Sequence, residues 1–316
     1  MISRTHPLPR GMFHPSAGSG RIRKASSRRK KLPFGAGLIF VLLLSACAAE
    51  VSPRGWMLDP GNFSGARALD ECAAFVRLGP KASGTEGAHR AAEHLAERLD
   101  SMGYTPELDV FEDPAPGGPL VFRNVIARTS GSGPVERIIL IGAHYDTKGS
   151  IENFEGANDS GSGVGALLEI LRLVAETPPP PGVEIRGVFF DGEECRRAYG
   201  PRDGLHGSRR MAAQAVREGW ASKVAGVIIL DMIGDQDLNI TLPANVTPSL
   251  AQLLFRAAEA ENVRPQVAWS RHDVLDDHVP FLNSGMPAVN LIDFEYGSAP
   301  GLNDYWHTSE DRMEHL

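Results

Sequence analysis

Continuous apolar runs alternate along the chain with segments in which apolar residues recur at helical spacing. Five runs predict strands, because uninterrupted Ile, Val, Leu and Phe residues are typical of strands that are covered on both faces. The predicted strands are residues 124–128, 137–143, 183–190, 223–230 and 287–292. Segments with helical periodicity predict helices at residues 66–78, 86–102, 163–175, 208–218, 248–261 and 277–283.

This alternation also predicts the fold class. Strands that alternate with helices are typical of an open, mainly parallel sheet with helices on both sides. We therefore expect residues 65–316 to form a single α/β domain, in which a mostly parallel central β-sheet is flanked by helices on both faces. The helix at 86–102 has suitable ends, since it follows Ser83-Gly84-Thr85 and stops at Gly103.

The first 46 residues have the pattern of an export signal. The basic run Arg28-Arg29-Lys30-Lys31 precedes an apolar stretch at 34–46, which is shorter than the roughly 20 residues that span a bilayer. The stretch ends in Leu44-Ser45-Ala46-Cys47, which resembles the cleavage site of bacterial lipoproteins, where the cysteine is acylated. We expect residues 1–46 to be a lipoprotein signal peptide, Cys47 to carry the lipid and residues 47–64 to be a linker. The alternative is an ordinary signal peptide, with Cys47 incidental.

These features predict an exported protein that is anchored to the membrane on its periplasmic or extracellular face. The distribution of charge also distinguishes residues 1–46 from the rest of the chain. Residues 1–46 contain nine Lys and Arg and no acidic residue, so the rest of the chain has 23 bases against 39 acids and a net charge of −16. So acidic a domain does not favour nucleic-acid binding. Three cysteines are too few for a disulfide scaffold.

Acids and histidines follow the predicted strands at the points where the strands end. His144 follows one strand, Glu193 and Glu194 follow the next, and Asp231 follows a third, while Asp159 and His307 lie in loops. Ligand sites of open α/β sheets lie at the carboxyl ends of the strands. Imidazole and carboxylate without thiolate are ligands for Zn²⁺ or a similar divalent ion. A zinc enzyme is therefore predicted, with helix caps and loop salt bridges as the alternative interpretation.

The motifs that contain these residues resemble those of zinc aminopeptidases of the bacterial leucyl-aminopeptidase type. They are Leu78-Gly79-Pro80, Gly142-Ala143-His144-Tyr145-Asp146, Gly156-Ala157-Asn158-Asp159, Asp191-Gly192-Glu193-Glu194, Leu230-Asp231-Met232-Ile233-Gly234 and His307. Flanking residues favour the glutaminyl-peptide cyclotransferase branch of this family. They are Thr147-Lys148, the segment from Tyr199 to Arg209, Asp276-Asp277-His278-Val279-Pro280-Phe281-Leu282 and Trp306-His307-Thr308.

The resemblance implies a role for each matching residue. Asp159, Glu194 and His307 match the ligands of a single zinc ion, and Glu193 matches the residue that transfers the proton. Asp231 and Asp276 match catalytic acids that hydrogen-bond around that glutamate. Trp306 matches an aromatic residue of the substrate pocket, and Tyr199 stands where animal members have a second pocket tryptophan.

In the peptidase branch, a second zinc ion is bound by His144 and Asp231, with Asp159 bridging the two ions. All of these residues are present, so the ligand set leaves both branches open, with one zinc expected and two possible. The function expected from the resemblance is conversion of N-terminal glutamine to pyroglutamate, with release of ammonia, on peptide or protein N-termini. The alternative is a zinc aminopeptidase. A metal-free binding ectodomain is a third reading, disfavoured because the ligands and Glu193 are retained. The oligomeric state is left open.

Overall fold

Six strands form a central sheet in the computed structural model, which describes residues 56–316. The strands are β1 (Glu107–Ala115), β2 (Gly118–Ser130), β3 (Arg137–His144), β4 (Val183–Phe190), β5 (Val224–Asp231) and, last in the chain, β8 (Ala288–Ile292). Their order across the sheet is β1-β2-β4-β3-β5-β8. Two short strands, β6 (Ile240–Leu242) and β7 (Val267–Trp269), pair in parallel as a separate small sheet.

The strands β4, β3, β5 and β8 are mutually parallel, whereas β1 and β2 form an antiparallel hairpin whose second strand pairs antiparallel with β4. The expectation of a mostly parallel central sheet is confirmed for these four strands. The sequence analysis missed β1, which is an edge strand in which buried and exposed positions mix. Its charged residues and Pro114 break the apolar run on which the strand predictions depended.

Helices cover both faces of the sheet, as expected. They are α1 (Gly65–Val76), α2 (Glu86–Ser101), α3 (Gly163–Glu176), α4 (His206–Arg217), α5 (Pro248–Ala260) and α6 (His278–Asn283). Along β3, Ile139 and Ile141 pack with α1, α2, α3 and α5, while Ile138 and Leu140 pack with α4 and α6. The alternation follows from the two-residue period of a strand, and it explains why the middle of β3 is apolar on both faces.

The predicted helices are all present, with ends that differ by one or two residues. Thr85 caps the start of α2, because its hydroxyl accepts the backbone N–H of Ala88 at 3.3 Å. Gly103 follows its end with φ of 90°, a conformation that favours glycine. Cap chemistry therefore predicted the first residue of α2 correctly and its last residue to within one position.

Residues 56–64, which the sequence analysis assigned to a linker, pack against the domain. Leu58 is buried in the core, and Trp56 and Phe63 pack against the same cluster. The N–H of Ser64 donates to the buried Glu169 of α3 at 2.9 Å. The folded region thus includes this part of the predicted linker. The predicted signal peptide and Cys47 lie outside the described residues. Within residues 56–316, none of the helices combines the length and apolar character needed to cross a bilayer.

Candidate active site

The carboxyl edge of the parallel strands brings the predicted site residues together. His144 is the last residue of β3, Asp231 is the last residue of β5, and Glu193 and Glu194 follow β4 after a two-residue turn. Gly192 in that turn has φ of 78°, and a Cβ there would lie 2.6 Å from the ring of Phe122. A glycine is therefore required for the turn that presents the two glutamates.

Asp159 enters the site from a short helical turn, Ala157–Ser162, that precedes α3. Its own backbone is non-helical, with φ of −109° and ψ of 83°. The carboxylate of Asp311 accepts the backbone N–H groups of Asn158 at 2.7 Å and of Asp159 at 3.0 Å. The turn is thereby held from the far end of the chain, and the Asp159 side chain faces the histidines.

A first cluster combines Asp159, Glu194 and His307. The Nε2 atom of His307 lies 2.9 Å from Oε1 of Glu194 and 3.3 Å from Oδ2 of Asp159. One potential ligand atom from each residue lies within 4.8 Å of the others. His307 has φ of 53°, an uncommon conformation for a residue other than glycine, and such backbone outliers cluster at functional sites. This is the ligand set that the resemblance implied for one zinc ion.

A second cluster shares Asp159 with the first. The Nε2 atom of His144 lies 3.1 Å from Oδ1 of Asp159 and 3.4 Å from Oδ1 of Asp231. All three side chains are buried, and their ligand atoms also lie within 4.8 Å of one another. The two oxygens of Asp159 thus face different histidines, which is the arrangement expected of a bridging carboxylate.

The residues of both clusters fit a divalent ion. Among the described residues, buried Oδ1 of Asp231 has only the 3.4 Å contact with Nε2 of His144, and the set of potential ligands is imidazole and carboxylate, which suits zinc. Burial raises the pKa of Asp159, but hydrogen bonds from His144 and His307 outweigh it and lower this pKa below its usual value. Burial lowers the pKa of His307, and its bonds to Asp159 and Glu194 outweigh this and raise it to about 9. The histidines thus compensate part of the buried negative charge in a site where a cation would do the same.

Lys148 supplies a further positive charge. From the sequence alone, this residue was identified only as part of a motif. Its Nζ atom lies 2.8 Å from Oε2 of Glu194 and 3.3 Å from the sulfur of Cys195. Burial lowers the pKa of Lys148, but the Glu194 charge outweighs it and raises this pKa above its usual value. Lys148 therefore fixes one oxygen of Glu194, while the other oxygen faces His307.

Glu193 lies beside the first cluster, but its side chain points away from that of Glu194, because adjacent residues that leave a strand face opposite ways. Asp146 holds the backbone of both glutamates, since its carboxylate accepts the N–H of Glu193 at 3.1 Å and of Glu194 at 3.2 Å. The Glu193 carboxylate is buried and accepts hydrogen bonds from the Tyr199 hydroxyl. Burial raises its pKa well above the usual value, and the charges of Glu194, Asp276 and Asp277 add to this effect. A glutamate with a raised pKa is suited to general acid–base catalysis.

Asp231 and Asp276 were expected to hydrogen-bond around Glu193, and the structure places them differently. Asp231 faces His144 and shares a hydrogen bond with Asp276. Asp276 also accepts from the side-chain amide of Asn290 on β8 at 2.6 Å. Burial and the neighbouring Asp231 raise the pKa of Asp276 well above its usual value. Asp276 therefore acts on Glu193 through its charge rather than through a direct bond.

A cavity of about 460 Å³ opens onto Glu193, Asp159, Asp231 and His307. Trp306 and Tyr199, the two predicted pocket residues, both line it. The ring of Trp306 stacks on His307 at a centroid distance of 4.1 Å and contacts Phe294 edge to face at 5.7 Å. One wall comes from the loop that precedes Asp276, where the lining residues are Ser270, His272, Asp273, Val274 and Leu275. The sequence analysis missed this wall, because the loop has no motif of its own.

Asp311 and Asp146 also contribute to the site, although no role was predicted for them from the sequence. Both are buried acids that accept backbone N–H groups of the ligand loops. Asp146 is the last residue of the motif Gly142-Ala143-His144-Tyr145-Asp146, and Asp311 follows the motif Trp306-His307-Thr308 by three residues. That proximity was the available signal, although it did not show what the side chains contact.

Comparison with known proteins identifies the family of this chain. Residues 124–316 match peptidase family M28. A glutaminyl-peptide cyclotransferase of Drosophila melanogaster is 28% identical, with 92% of this chain and 87% of that protein aligned. The glutaminyl-peptide cyclotransferase of Gloydius blomhoffii is also 28% identical, over 74% of this chain and 71% of that protein.

Solved structures show the same relationship. A glutaminyl cyclase from an Acidobacteriales bacterium superposes with a TM-score of 0.74 and 33% identity, covering 81% of this chain and 88% of that one. A Zn-dependent exopeptidase from Parabacteroides distasonis superposes with a TM-score of 0.69 and 25% identity, covering 81% and 92% of the two chains. The family resemblance inferred from the motifs is confirmed: this chain belongs to peptidase family M28 and groups with its glutaminyl cyclases.

Proposed function

We propose that this protein is a zinc-dependent glutaminyl-peptide cyclotransferase, which converts N-terminal glutamine to pyroglutamate and releases ammonia. The observation that carries the proposal is the position of Glu193. Its buried carboxylate faces the same cavity as the cluster of Asp159, Glu194 and His307. Glu193 does not belong to that cluster, and its carboxylate hydrogen-bonds to Tyr199 instead. The relatives named as glutaminyl cyclases support the choice of reaction.

Asp159, Glu194 and His307 are the residues that would hold the zinc ion. When bound, zinc would polarise the γ-carboxamide of the substrate as a Lewis acid. Lys148 keeps Glu194 in place by pairing with one of its oxygens. Asp311 keeps Asp159 in place through the backbone bonds to its turn. The ligands are therefore held by outer partners, which is typical of metal sites in enzymes.

Glu193 would move the proton. The substrate's α-amine attacks its own γ-carboxamide carbon, so the reacting atoms are already joined and the step gains from proximity. The new C–N bond forms as the C–N bond to the side-chain nitrogen breaks. Glu193 takes a proton from the attacking amine and delivers it to the departing nitrogen, which leaves as ammonia. Its raised pKa suits both halves of this transfer, since the carboxyl must first accept and then give up the proton.

The cavity suits the end of a peptide chain. Trp306 and Phe294 offer an aromatic wall on the His307 side, and Val274 and Leu275 offer an apolar wall on the other. A cavity of about 460 Å³ falls in the lower part of the range for small-ligand sites. It therefore fits one terminal residue and the start of the next better than a long extended segment.

Aminopeptidase activity is the second candidate, and the His144, Asp159 and Asp231 cluster favours it. With a second ion held there, Glu193 would take the proton from a water molecule instead of from the substrate amine. A metal-free binding protein is the weakest candidate, because it would not need two groups of buried acids and histidines whose potential ligand atoms lie within 4.8 Å of one another.

Export and lipid anchoring are part of the proposal. They rest on the signal pattern before Cys47 and predict a protein held on the outer side of a membrane. Labelling with a radioactive fatty acid in a bacterial host tests this directly. The wild-type chain should carry label and sediment with membranes, and Cys47→Ala should lose both properties. A labelled Cys47→Ala chain would contradict the assignment.

The deciding experiment for the reaction uses one peptide that begins with glutamine and one that begins with leucine. Ammonia from the first, without free amino acid from either, supports the cyclase. Release of leucine without ammonia overturns it in favour of the aminopeptidase. Chelation should stop turnover and zinc should restore it. Protein without zinc and without sensitivity to a chelator would contradict both enzyme proposals.

A further inference from the structure

We infer that Tyr199 is a positioning residue for Glu193, whose carboxylate its phenol hydroxyl holds in one orientation. The inference rests on the proposed role of Glu193 in proton transfer. It gives Tyr199 a task different from the wall of a substrate pocket, which was the role expected from the resemblance.

The contact itself is direct. The hydroxyl of Tyr199 lies 3.0 Å from Oε1 of Glu193 and 3.2 Å from Oε2. Within residues 56–316, both hydrogen bonds that reach this carboxylate come from that one hydroxyl. Of its charged neighbours, His144 attracts an ionised Glu193, whereas Glu194, Asp276 and Asp277 repel it. A hydrogen bond to an ionised carboxylate is stronger than one between neutral groups, so Tyr199 opposes the repulsion.

The loop that carries Tyr199 is tightly pinned. The Asp203 carboxylate accepts three successive backbone N–H groups, from Arg196 at 2.6 Å, Arg197 at 2.9 Å and Ala198 at 3.0 Å. Gly200 and Asp203 exchange two backbone hydrogen bonds just after the tyrosine. The loop therefore has a fixed course on both sides of Tyr199.

Arg209 reinforces the same loop from α4. Its guanidinium donates to the carbonyl of Gly200 at 2.6 Å and to the carbonyls of Gly204 and Leu205. With these bonds the phenol is attached to a rigid frame, and the hydroxyl is preorganised before any substrate binds.

The ring of Tyr199 packs closely against Gly204. Gly204 has φ of 77°, and a Cβ at this position would lie 2.5 Å from Cδ1 of the ring. On another side, Nζ of Lys148 lies 5.7 Å from the ring centroid and pairs with Glu194. The loop that carries Tyr199, together with Gly204 and Lys148, thus directs the hydroxyl toward Glu193. The orientation of Glu193 matters because a proton-transfer group must lie within hydrogen-bond reach of its target.

The test removes the hydroxyl alone. With a glutamine-initiated peptide, Tyr199→Phe should lower kcat about tenfold, because a charge-assisted bond is lost. KM should stay within about twofold, because the ring remains in the pocket. Zinc content should equal that of the wild type. Tyr104→Phe is the matched control, since the Tyr104 hydroxyl donates to the Leu171 carbonyl at 2.7 Å far along the sheet, and it should leave kcat unchanged.

A double variant shows whether Tyr199 acts through Glu193. Glu193→Asp draws the carboxylate back by one methylene, away from the hydroxyl. Tyr199→Phe should therefore cost much less in that background than in the wild type. Fully additive losses, or a raised KM with unchanged kcat, would overturn the inference.

Crystal structures of the zinc-loaded wild type and Tyr199→Phe give a readout that does not depend on turnover. The Glu193 side chain should occupy one orientation in the wild type and a different or split orientation in the variant. An unmoved, fully ordered Glu193 in the variant overturns the inference, even if the wild type proves to be an aminopeptidase. Absence of cyclisation by the wild type, by contrast, overturns the proposed function alone.

Discussion

Asp311 holds Asp159 in place across 152 positions of sequence: its Oδ2 atom accepts the backbone N–H of Asp159 at 3.0 Å, and its Oδ1 atom accepts that of Asn158. The Tyr296 hydroxyl donates to the same carboxylate at 3.0 Å. Asp311 is buried, and its carboxylate hydrogen-bonds to the backbone of Asp159, the potential bridging ligand, rather than to its side chain. A residue distant in sequence thus sets the position of Asp159, which both clusters share.

Asp311→Asn should weaken zinc binding about 10–100-fold, the usual effect of losing an outer partner of a metal ligand. An asparagine offers one carbonyl oxygen where two N–H groups need acceptors, so its amide would face a donor. Zinc affinity can be measured by competition with a chromophoric chelator. Asp235→Asn is the control, because Asp235 likewise accepts a backbone N–H, that of Asp237, at 3.0 Å. Equal affinities for Asp311→Asn and wild type would refute this role.

Glu193→Gln should lower kcat about 10²–10⁴-fold, the range in which general acid–base groups contribute. Glutamine has nearly the same shape but cannot accept the proton at working pH. Zinc should remain bound, because Glu194 and not Glu193 belongs to the first cluster. Ammonia release and metal analysis of the same sample measure the two effects. Glu259→Gln, at an exposed position of α5, should be neutral; undiminished turnover by Glu193→Gln would rule out proton transfer by this residue.

His307→Ala and His144→Ala should have unequal effects on bound zinc. If one zinc ion is bound, His307→Ala removes the only histidine of the cluster with Asp159 and Glu194. The loss of zinc affinity should then exceed the roughly 10–100-fold that follows from losing a residue that only supports a ligand. His144→Ala should keep about one zinc per chain and reduce activity less. Metal analysis after dialysis against limiting zinc gives both stoichiometries. Two zinc ions in the wild type and one in His144→Ala would instead favour the two-metal aminopeptidase.

The stability of the protein should fall in mild acid because of His278. Burial lowers the pKa of this histidine from 6.5 to about 4. Between these values the unfolded chain binds a proton that the folded protein does not, so stability rises with pH across this window and is lost as pH falls. The linked loss is up to about 3 kcal/mol by pH 4.

Urea unfolding at pH 7 and at pH 4.5 measures this loss. His278→Leu should show a smaller difference between the two pH values than the wild type. His89→Leu, at an exposed histidine of α2 that pairs with Glu93 at 3.4 Å, controls for loss of a surface histidine and should keep the wild-type difference. An equal difference in all three proteins would contradict the assignment to His278.

Gly165→Ala should destabilise the fold by about 1–3 kcal/mol, because a methyl group there overpacks the contact between α1 and α3. An added Cβ would lie 2.2 Å from the carbonyl oxygen of Ala68 and 2.9 Å from Cβ of Cys72. Gly226→Ala is the matched control, since its nearest neighbours are side-chain methyl groups of Leu250 at 3.3 Å and beyond. Thermal unfolding compares them, and a Gly165→Ala midpoint no lower than that of Gly226→Ala would contradict the packing argument.

Local pattern was enough for the central part of the fold. The strands β3, β4 and β5 are buried on both faces, so most of their positions are apolar, and the runs were visible without any structure. The buried charges in β4, Glu184 and Arg186, pair with each other. The helices were visible because each covers the sheet with one face. By contrast, β1 at the sheet edge and the three-residue strands β6 and β7 exist mainly through their pairing, which leaves little trace in composition.

The candidate site divides in the same way. The sequence by itself determined which residues are candidates for the chemistry, because Asp159, Glu193, Glu194, Asp231 and His307 lie in motifs at strand ends and loops. Only the tertiary structure decided what each side chain contacts: Tyr199 against Glu193, Lys148 against Glu194, Asp311 against the Asp159 turn, and Asp276 against Asn290. Strand ends follow from local periodicity, whereas such contacts depend on the packing of segments that are distant in sequence, and no local pattern records them.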